Sequence, residues 1–556
     1  MERVRVWCAG VAALSLCLVF VQPPAVAAAE DVHVIPPDPV LYDDLDALMD
    51  IYGPPKAGLV EDSTATAGCG SAAANPVPDG AAIYVKIPPA HSFVVGTIPA
   101  AYWRNPPVKD PAWRLQFEGL TWARPIGRRA AMDDQQEALR RVVNQVAAFH
   151  KQNPDPKTNS YGWDEGTALR RLETENCLWA LTGNETLRRG MVADANVLLS
   201  KRYYGPPYAP VHNHGLMANL QLLKAGQHLG YASWRSTAIN RMVKEAPQAF
   251  SRGGVSWEQS SMYQTVNANL WDKAAVALTD AKQTSAAASV AKTVRAARIA
   301  YQWMTEPDGK IVQIGDSDEY PGGFGSLTTP RSFRDSQTGW IIGRWSWTDP
   351  KTVYYTVRTG PARRGHGQHD RGGGVTFTAK GVRVLVGPGR YSYDLKDNYN
   401  AYQLSPQSHN VALPDGKRVT NAGGTYSAFT IQGPAHAWTL KDKMFGIDHT
   451  RTVNVIRDSA TMKISDSFPS SSLWRQYWHL DPQWQRVSYT STKLVFSHPS
   501  GRRLTITTTG RLSSITKGVT RPPAGWHFPT YGTRLQANEI SIRSYGRSSV
   551  TTFQVS

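Results

Sequence analysis

The spacing of hydrophobic residues along this chain changes after residue 305. The spacing before that point is typical of helices and the spacing after it of strands, so no all-helical or all-strand fold accounts for the whole chain. Between Met132 and Thr305, apolar residues recur at three- and four-residue steps in segments such as DDQQEALRRVVNQVAAFH and SAAASVAKTVRAARIAYQWM, which is the period of amphipathic helices. From about Gly339 to Ser556, short β-branched and aromatic runs such as TVYYTVRTG and RLTITTTG are separated by turn residues, as in antiparallel sheets. The sequence therefore predicts a multidomain α+β protein with its helices first.

These patterns divide the chain into four predicted parts. Residues 1–29 combine a basic start, a short apolar centre and a small-residue end, which indicates a secretory signal peptide. Residues 30–111 are rich in Pro, Gly and Ala and predict an irregular N-terminal extension. Residues 112–330 are expected to form an array of helical hairpins, and residues 331–556 an antiparallel β-sandwich. A cleft is expected where the two large parts meet.

The predicted signal peptide indicates a secreted protein. Its apolar centre is shorter than the roughly 20 residues that a membrane-spanning helix needs, so we expect no membrane anchor. After its removal, Cys69 and Cys177 remain, either as one disulfide in an oxidising compartment or as two buried thiols. The net charge of +17 suits an anionic partner, but it equally serves to keep a protein in solution.

Two clusters of polar residues lie in the helical part. His212, Asn213 and His214 stand at the start of a predicted helix, where backbone N–H groups favour an anion. Glu258 and Tyr263 lie on or near another predicted helix. Each cluster also has a structural interpretation, because the first can cap its helix and a helical Tyr is often a core residue with a satisfied hydroxyl.

Two further clusters lie in the sheet part. His366, His369, Asp370 and Arg371 fill a Gly-rich loop in front of a predicted strand, and His409 opens another strand-like run. The loop residues can be metal ligands, acid-base groups or simple loop residues. His409 can complete a metal site or hydrogen-bond the backbone.

Taken in order, these segments resemble the heparinase II/III-like polysaccharide lyases. The resemblance rests on DPAWRLQFEGLTWARPI, NHG, WEQSSMY, HGQHDRGGGVTF, VLVGPGRYSY and SHNVALPDG. It implies an incomplete (α/α) toroid followed by an antiparallel β-sandwich. The family acts on polymers such as heparin, heparan sulfate and alginate, so the resemblance implies an anionic polysaccharide as partner and no nucleic acid.

The resemblance also implies catalytic roles. Asn213 and His214 would bind the uronate carboxylate, and Tyr263 would protonate the leaving oxygen. For one substrate stereochemistry Tyr263 would also remove the proton, which requires cationic neighbours because a tyrosine ordinarily titrates near pH 10. His366, or His369 if the register of the loop shifts, would be the alternative base.

Further substrate contacts are expected from Arg371, His212 and Glu258. The basic residues of the loop region, Arg363 and Arg364 with Arg371, are the expected cationic neighbours of the tyrosine.

The metal site of the resembled family is expected to be altered in this chain. The family commonly binds a metal through a second loop His, an Asp before Pro-Gly and the His of a His-Asn element. With Asp370 as the landmark, Gln368 and Gly387 replace two of these ligands. A shift that brings His369 into place still lacks the Asp, and His409 alone cannot hold a divalent ion. We therefore expect no cofactor, with zinc at most in a weak and altered site.

Three other functions are compatible with the same residues. A uronate epimerase would use the same carbanion and return the proton. A glycoside hydrolase needs two carboxyl groups beside the scissile bond, for which Asp164, Glu165 and Glu258 are available. A non-catalytic polysaccharide-binding protein is suggested by the missing metal ligands.

Overall fold

The structure is a computed structural model that describes residues 69–70, 72–87, 91–109, 111–157, 159–200, 212–323, 332–394, 396–431, 433–470 and 473–556. The predicted signal peptide lies outside the described residues. All described residues belong to one unit.

The helical part is built from paired helices, as the periodicity predicts. In the described part of the chain the helices are α1 Ala100–Arg104, α2 Pro111–Glu118, α3 Ala123–Met132, α4 Gln136–Gln152, α5 Glu165–Thr182, α6 Thr186–Leu199, α7 Asn213–His228, α8 Ala232–Ala249, α9 Ser261–Asp280 and α10 Thr284–Trp303. Successive helices pack as pairs α5/α6, α7/α8 and α9/α10, while α7 also packs on α5 and α9. This arrangement is the predicted incomplete (α/α) toroid.

Local sequence signals define the ends of the helices that matter for the site. The side chain of Asp164 caps α5 by accepting the Gly166 N–H, and Gly183 ends the helix in the left-handed conformation, a common helix terminator. Ser260 caps α9 by accepting the Tyr263 N–H, as a serine at this position often does. None of the described helices is long and apolar enough to cross a membrane.

The N-terminal extension contains more regular structure than its composition predicts. Strands β1 Tyr84–Ile87 and β2 His91–Val94 pair antiparallel, and α1 precedes the predicted start of the helical part. A disulfide joins Cys69 to Cys177 of α5. The extension is therefore covalently tied to the toroid, which decides between the two states considered for these cysteines.

The sheet part begins with an antiparallel sheet that follows chain order. Its strands are β3 Ser332–Asp335, β4 Trp340–Arg344, β5 Tyr354–Arg358, β6 Val375–Ala379 and β7 Val382–Leu385. A larger sheet, a third sheet and two small ribbons follow in the chain.

The remaining bounds are β8 Ala412–Pro414, β9 Gly424–Thr430, β10 Ala435–Asp442, β11 His449–Ile456, β12 Thr461–Ser467, β13 Trp474–His479, β14 Gln485–Tyr489, β15 Lys493–Ser497, β16 Arg503–Thr508, β17 Arg511–Lys517, β18 Val519–Thr520, β19 Pro523–Ala524, β20 Trp526–His527, β21 Leu535–Gln536, β22 Asn538–Ser544 and β23 Ser548–Val555. Helix α11 Asn398–Leu404 and a 3₁₀ turn, Pro406–Ser408, precede β8. The larger sheet has the order β14-β15-β16-β23-β12-β11-β10-β9, and the third has the order β17-β22-β13-β8. The two small ribbons are β18-β19 and β20-β21. The three main sheets share one hydrophobic core, which includes Val357, Phe377, Ile464, Trp478 and Ile540. This is the predicted β-sandwich.

A separate apolar cluster joins the helices to the first sheet. Trp303 at the end of α10 packs with Trp340 and Tyr354, and the Tyr354 hydroxyl donates to the Trp303 carbonyl at 3.0 Å. Arg344 donates to the Thr305 carbonyl at 3.1 Å. The first sheet of the sandwich is therefore anchored to the C-terminal end of α10 and the residues that follow it.

Candidate active site

The first part of the site is the N-terminus of α7. His212 is its N-cap residue, and Asn213 and His214 are its first two residues. The Asn213 N–H donates to the Glu258 Oε1 at 3.0 Å, and the His214 N–H donates to the Asn213 Oδ1 at 2.9 Å. Glu258 therefore satisfies a backbone N–H at the start of the helix, which has no partner within the helix itself.

The second part of the site is the segment in front of α9. Because the Ser260 side chain caps the helix, Glu258 and Gln259 lie before it, and Gln259 has a positive φ of 60°. The Gln259 amide donates to the Ala362 carbonyl at 3.0 Å and accepts the Arg364 N–H at 2.8 Å. This residue therefore holds the Gly-rich loop of the sandwich against the toroid.

Glycine is required in the loop where it meets this segment. A Cβ on Gly367 would lie 2.4 Å from the Gln259 Oε1, which is well inside van der Waals contact. The absence of a side chain there lets the loop carry His366 into the toroid.

His366 lies between two carboxylates and against Tyr263. Its ring stacks on the Tyr263 ring, with centroids 3.4 Å apart and planes 9° apart. Its Nδ1 is 3.2 Å from the Asp316 Oδ2, and its Nε2 is 3.8 Å from the Glu258 Oε2. With Nδ1–H donated to Asp316, Nε2 is the nitrogen available to accept a proton.

Tyr263 also belongs to a second buried network. Its hydroxyl is 3.2 Å from the Tyr393 hydroxyl, which accepts from the Arg390 Nη1 at 2.9 Å. Arg390 in turn donates through Nε and Nη2 to Asp318. Burial raises the pKa of Asp318, although the Arg390 guanidinium opposes that effect. Arg390 is thus a cation joined to the tyrosine pair, while the role expected of Arg363, Arg364 and Arg371 stays a prediction.

One short segment organises both networks, and sequence reasoning did not identify it. Asp316 contacts His366, Asp318 contacts Arg390, and the Ser317 hydroxyl between them accepts the Met262 N–H at 3.0 Å. All three are almost completely buried. The sequence signal for it was the polar run GDSDEY between the helical and strand patterns. Polar side chains that become buried between two packed parts of a protein need hydrogen-bond partners.

The other loop residues form a separate group within the sandwich. Arg371 donates to the Thr420 carbonyl and lies 3.4 Å from the His369 Nδ1. Burial, with Arg371 and Arg363 nearby, lowers the pKa of His369 to about 3. Asp370 is paired with Arg358 at 3.3 Å. The structure therefore places His366, and not His369, beside Tyr263, while the substrate-binding roles of Arg371, His212 and Glu258 stay predictions.

The residues at the family's metal position do not fit a divalent ion. The Gln368 amide donates to the Asp316 Oδ1 at 3.0 Å and to the Gly389 carbonyl at 3.1 Å. A Cβ on Gly387 would lie 2.0 Å from the Gln313 carbonyl oxygen, so this backbone has no room for an aspartate there.

His409 is the remaining ligand of that set. Burial lowers its pKa to about 4, so the imidazole is neutral at physiological pH. It lines a cavity of about 20 Å³ together with Gly387, which is room for about one water molecule. One imidazole does not make a zinc site.

Comparisons with known proteins agree with the geometry. Residues 99–322 match the family described as Heparinase II/III N-terminus, and residues 328–556 match Heparinase II/III-like, C-terminal. No curated protein sequence matches the chain.

Solved structures show the same fold at low sequence identity. The crystal structure of heparinase III superposes with a TM-score of 0.68 at 14% identity, over 82% of this chain and 78% of that one. A mutant of the heparan sulfate lyase HepC from Pedobacter heparinus gives a TM-score of 0.64 at 17% identity, over 84% and 80%. Because the two family matches span both the toroid and the sandwich, this chain belongs to the heparinase II/III-like family and is a polysaccharide lyase.

Proposed function

We propose that this protein cleaves a uronic-acid-containing anionic polysaccharide by β-elimination and leaves an unsaturated uronide end. The observation that carries the proposal is Tyr263, whose ring stacks on His366 and whose hydroxyl contacts Tyr393. A carboxylate-binding helix start, an imidazole base and a phenol acid are the three groups that this elimination needs.

The first requirement is to stabilise negative charge on the substrate carboxylate. The hydrogen bond that Asn213 Oδ1 accepts orients its Nδ2 amide as a donor. Together with the His214 side chain, this amide would bind the carboxylate as the proton leaves the adjacent ring carbon. Donors held in place before the reaction stabilise such charge most effectively.

The second requirement is to move two protons. The His366 Nε2, or Tyr263 for the other stereochemistry, takes the proton from the ring carbon beside the carboxylate. The electron pair of that C–H bond forms the ring double bond as the bond to the glycosidic oxygen breaks. Tyr263 then protonates the departing oxygen.

Hydrolysis is less well supported because two of its candidate carboxylates have structural roles. Asp164 caps α5, and Glu258 accepts the Asn213 N–H. A hydrolase needs an acid and a second carboxylate across the scissile bond.

We also propose that the protein is secreted and acts on an extracellular polymer. The disulfide between Cys69 and Cys177 supports this, since disulfides persist in oxidising compartments. The signal-like residues 1–29 are consistent with export. Heparan sulfate, the polymer after which the HepC lyase is described, is one polymer to test.

The test is to incubate the purified protein with heparin, heparan sulfate and alginate and to follow the ultraviolet absorbance of unsaturated uronides. We expect rising absorbance, nearly abolished by Tyr263→Phe. Tyr301→Phe is a matched control, because it removes another buried hydroxyl, one that donates to the Pro321 carbonyl. New reducing ends without absorbance would mean hydrolysis, and deuterium uptake without chain cleavage would mean epimerisation.

A further inference from the structure

A second cluster of metal-ligating side chains lies where two helices of the toroid begin. One ligand atom each from Glu165, His212 and His214 lie within 4.8 Å of one another. Glu165 is the first residue of α5, and the two histidines flank the first residue of α7. The cluster is distinct from the family's metal position, which lies in the sandwich at Gln368, Gly387 and His409.

Local geometry accounts for this convergence. His212 is extended, with φ −151° and ψ 174°, whereas His214 is helical, and the two rings lie 5.7 Å apart. The His214 Cε1 lies 3.5 Å from the position that a Cβ on Gly166 would take, so α5 and α7 approach closely at their starts. Asp164 supplies the α5 cap, so the Glu165 carboxylate is not the capping group.

The chemistry of the three donors selects the class of metal. Two imidazoles and one carboxylate are a common zinc ligand set, and three protein ligands leave one position for water or substrate. Glu165 and His214 are buried, while His212 is half-buried, which gives a small ion a route to the cluster.

A comparable cluster in the toroid is unsuitable. His150, Glu175 and Asp194 also converge, but the Arg171 guanidinium makes two hydrogen bonds to Asp194. Both Asp194 oxygens are therefore engaged in a two-point ion pair, and the Glu175 Oε1 already lies 2.7 Å from the His150 Nε2. The structure therefore favours the cluster at the start of α7.

We propose that Glu165, His212 and His214 bind a zinc-like dication, and that bound metal inhibits the enzyme by withdrawing His214 from the substrate carboxylate. The binding half of this inference depends only on the cluster. The inhibition half rests on the function proposed above, because it requires His214 to hold the substrate.

The binding half is tested with tag-free, metal-stripped protein and Zn²⁺ alone, by equilibrium dialysis and metal analysis. We expect one zinc per chain, with affinity at least tenfold weaker in Glu165→Gln and in His212→Ala. His409→Ala is the matched control and should bind as the parent does. Co²⁺ should give visible absorption bands in the parent that Glu165→Gln loses, and unfolding curves of the stripped variants verify that they are folded.

Two results would overturn the binding half. One is parental zinc affinity in both Glu165→Gln and His212→Ala, and the other is loss of zinc in His409→Ala, which would place the ion in the sandwich.

The inhibition half is tested by adding Zn²⁺ to the elimination assay. We expect inhibition of the parent, reversal by a chelator, and at least tenfold lower sensitivity in Glu165→Gln relative to its own zinc-free rate. Equal sensitivity of Glu165→Gln would overturn this half. If no polysaccharide is cleaved at all, the proposed function fails, while the dialysis result still decides the metal site.

Discussion

Replacing Tyr393 with Phe tests whether the second tyrosine takes part in catalysis. The Tyr393 hydroxyl accepts from Arg390 at 2.9 Å and lies 3.2 Å from the Tyr263 hydroxyl, to which it can donate its own proton. When Tyr263 carries negative charge during proton transfer, Tyr393 would donate to it with the support of Arg390. Phe keeps the ring and its packing but removes this donor.

The expected loss follows from the type of hydrogen bond. A hydrogen bond to a charged group contributes about 1.5–3 kcal/mol, and about 1.4 kcal/mol corresponds to a factor of ten. Tyr393→Phe should therefore lower kcat about tenfold to a hundredfold. If Tyr263 is also the base, the pH–rate profile should move upward by about one to two units, since one pH unit corresponds to about 1.4 kcal/mol.

The assay is steady-state elimination across a pH series, with thermal unfolding as the measure of fold. Tyr391→Phe is the matched control, because Tyr391 lies two residues away and its hydroxyl is 3.5 Å from an exposed Arg534. We expect the control to retain the parental rate. A parental kcat in Tyr393→Phe, with Tyr263→Phe inactive, would refute the donor role.

Three other contacts in the structure also make testable predictions. Asp316→Asn should lower kcat about tenfold to a hundredfold in steady-state kinetics without unfolding the protein. The reason is that the His366 Nδ1 loses a charged hydrogen-bond acceptor. An unchanged rate would contradict the proposal that Asp316 positions His366. Gly367→Ala should lower the free energy of unfolding in urea by about 1–3 kcal/mol. The loss should be smaller in a Gln259→Ala background, because that change removes the contact with Oε1 at 2.4 Å while the contact with Cβ at 2.9 Å remains. Additive effects would argue against the contact with Oε1. Burial opposes charge on His449, yet hydrogen bonds to aspartates at both ring nitrogens raise its pKa to about 9. Protonated His449 should therefore add up to about 3 kcal/mol to the free energy of unfolding. This contribution should be fully present below its ordinary pKa near 6.5 and be lost as pH rises through about 9. His449→Gln should flatten this part of a plot of the free energy of unfolding against pH.

The order of the two large parts could be predicted because periodicity is a local property of the sequence. The NHG element, Tyr263 and His366 could be proposed as candidate site residues because motif order carries information that no single residue does. The start of α9 was also readable, since Ser260 is a favoured N-cap residue. Treating it as the cap would have placed Glu258 before the helix.

The partners of these residues could not be predicted, because they come from distant parts of the chain. Asp316 and Tyr393 contact side chains that are 50 and 130 residues away in sequence. Likewise, Cys69 and Cys177 are 108 residues apart, and only folding brings their Cα atoms to 4.9 Å. Such contacts depend on how the toroid and the sandwich pack, which local patterns do not specify.

Gln368 stands at the metal position of the family, where its amide makes hydrogen bonds with protein groups. The amide donates to Asp316, the partner of His366, and to the Gly389 carbonyl next to Arg390. Hydrogen bonds among buried groups therefore connect His366 to the network of Tyr263 and Tyr393. Buried hydrogen bonds of this kind are only weakly screened by solvent. Since the residues around His409 do not fit a metal, a chelator should not lower the elimination rate of protein to which no zinc has been added. Added zinc should lower the rate through the cluster at the start of α7. A rate that falls on chelation would instead show that the sandwich binds a functional metal, and that Gly387 does not prevent it.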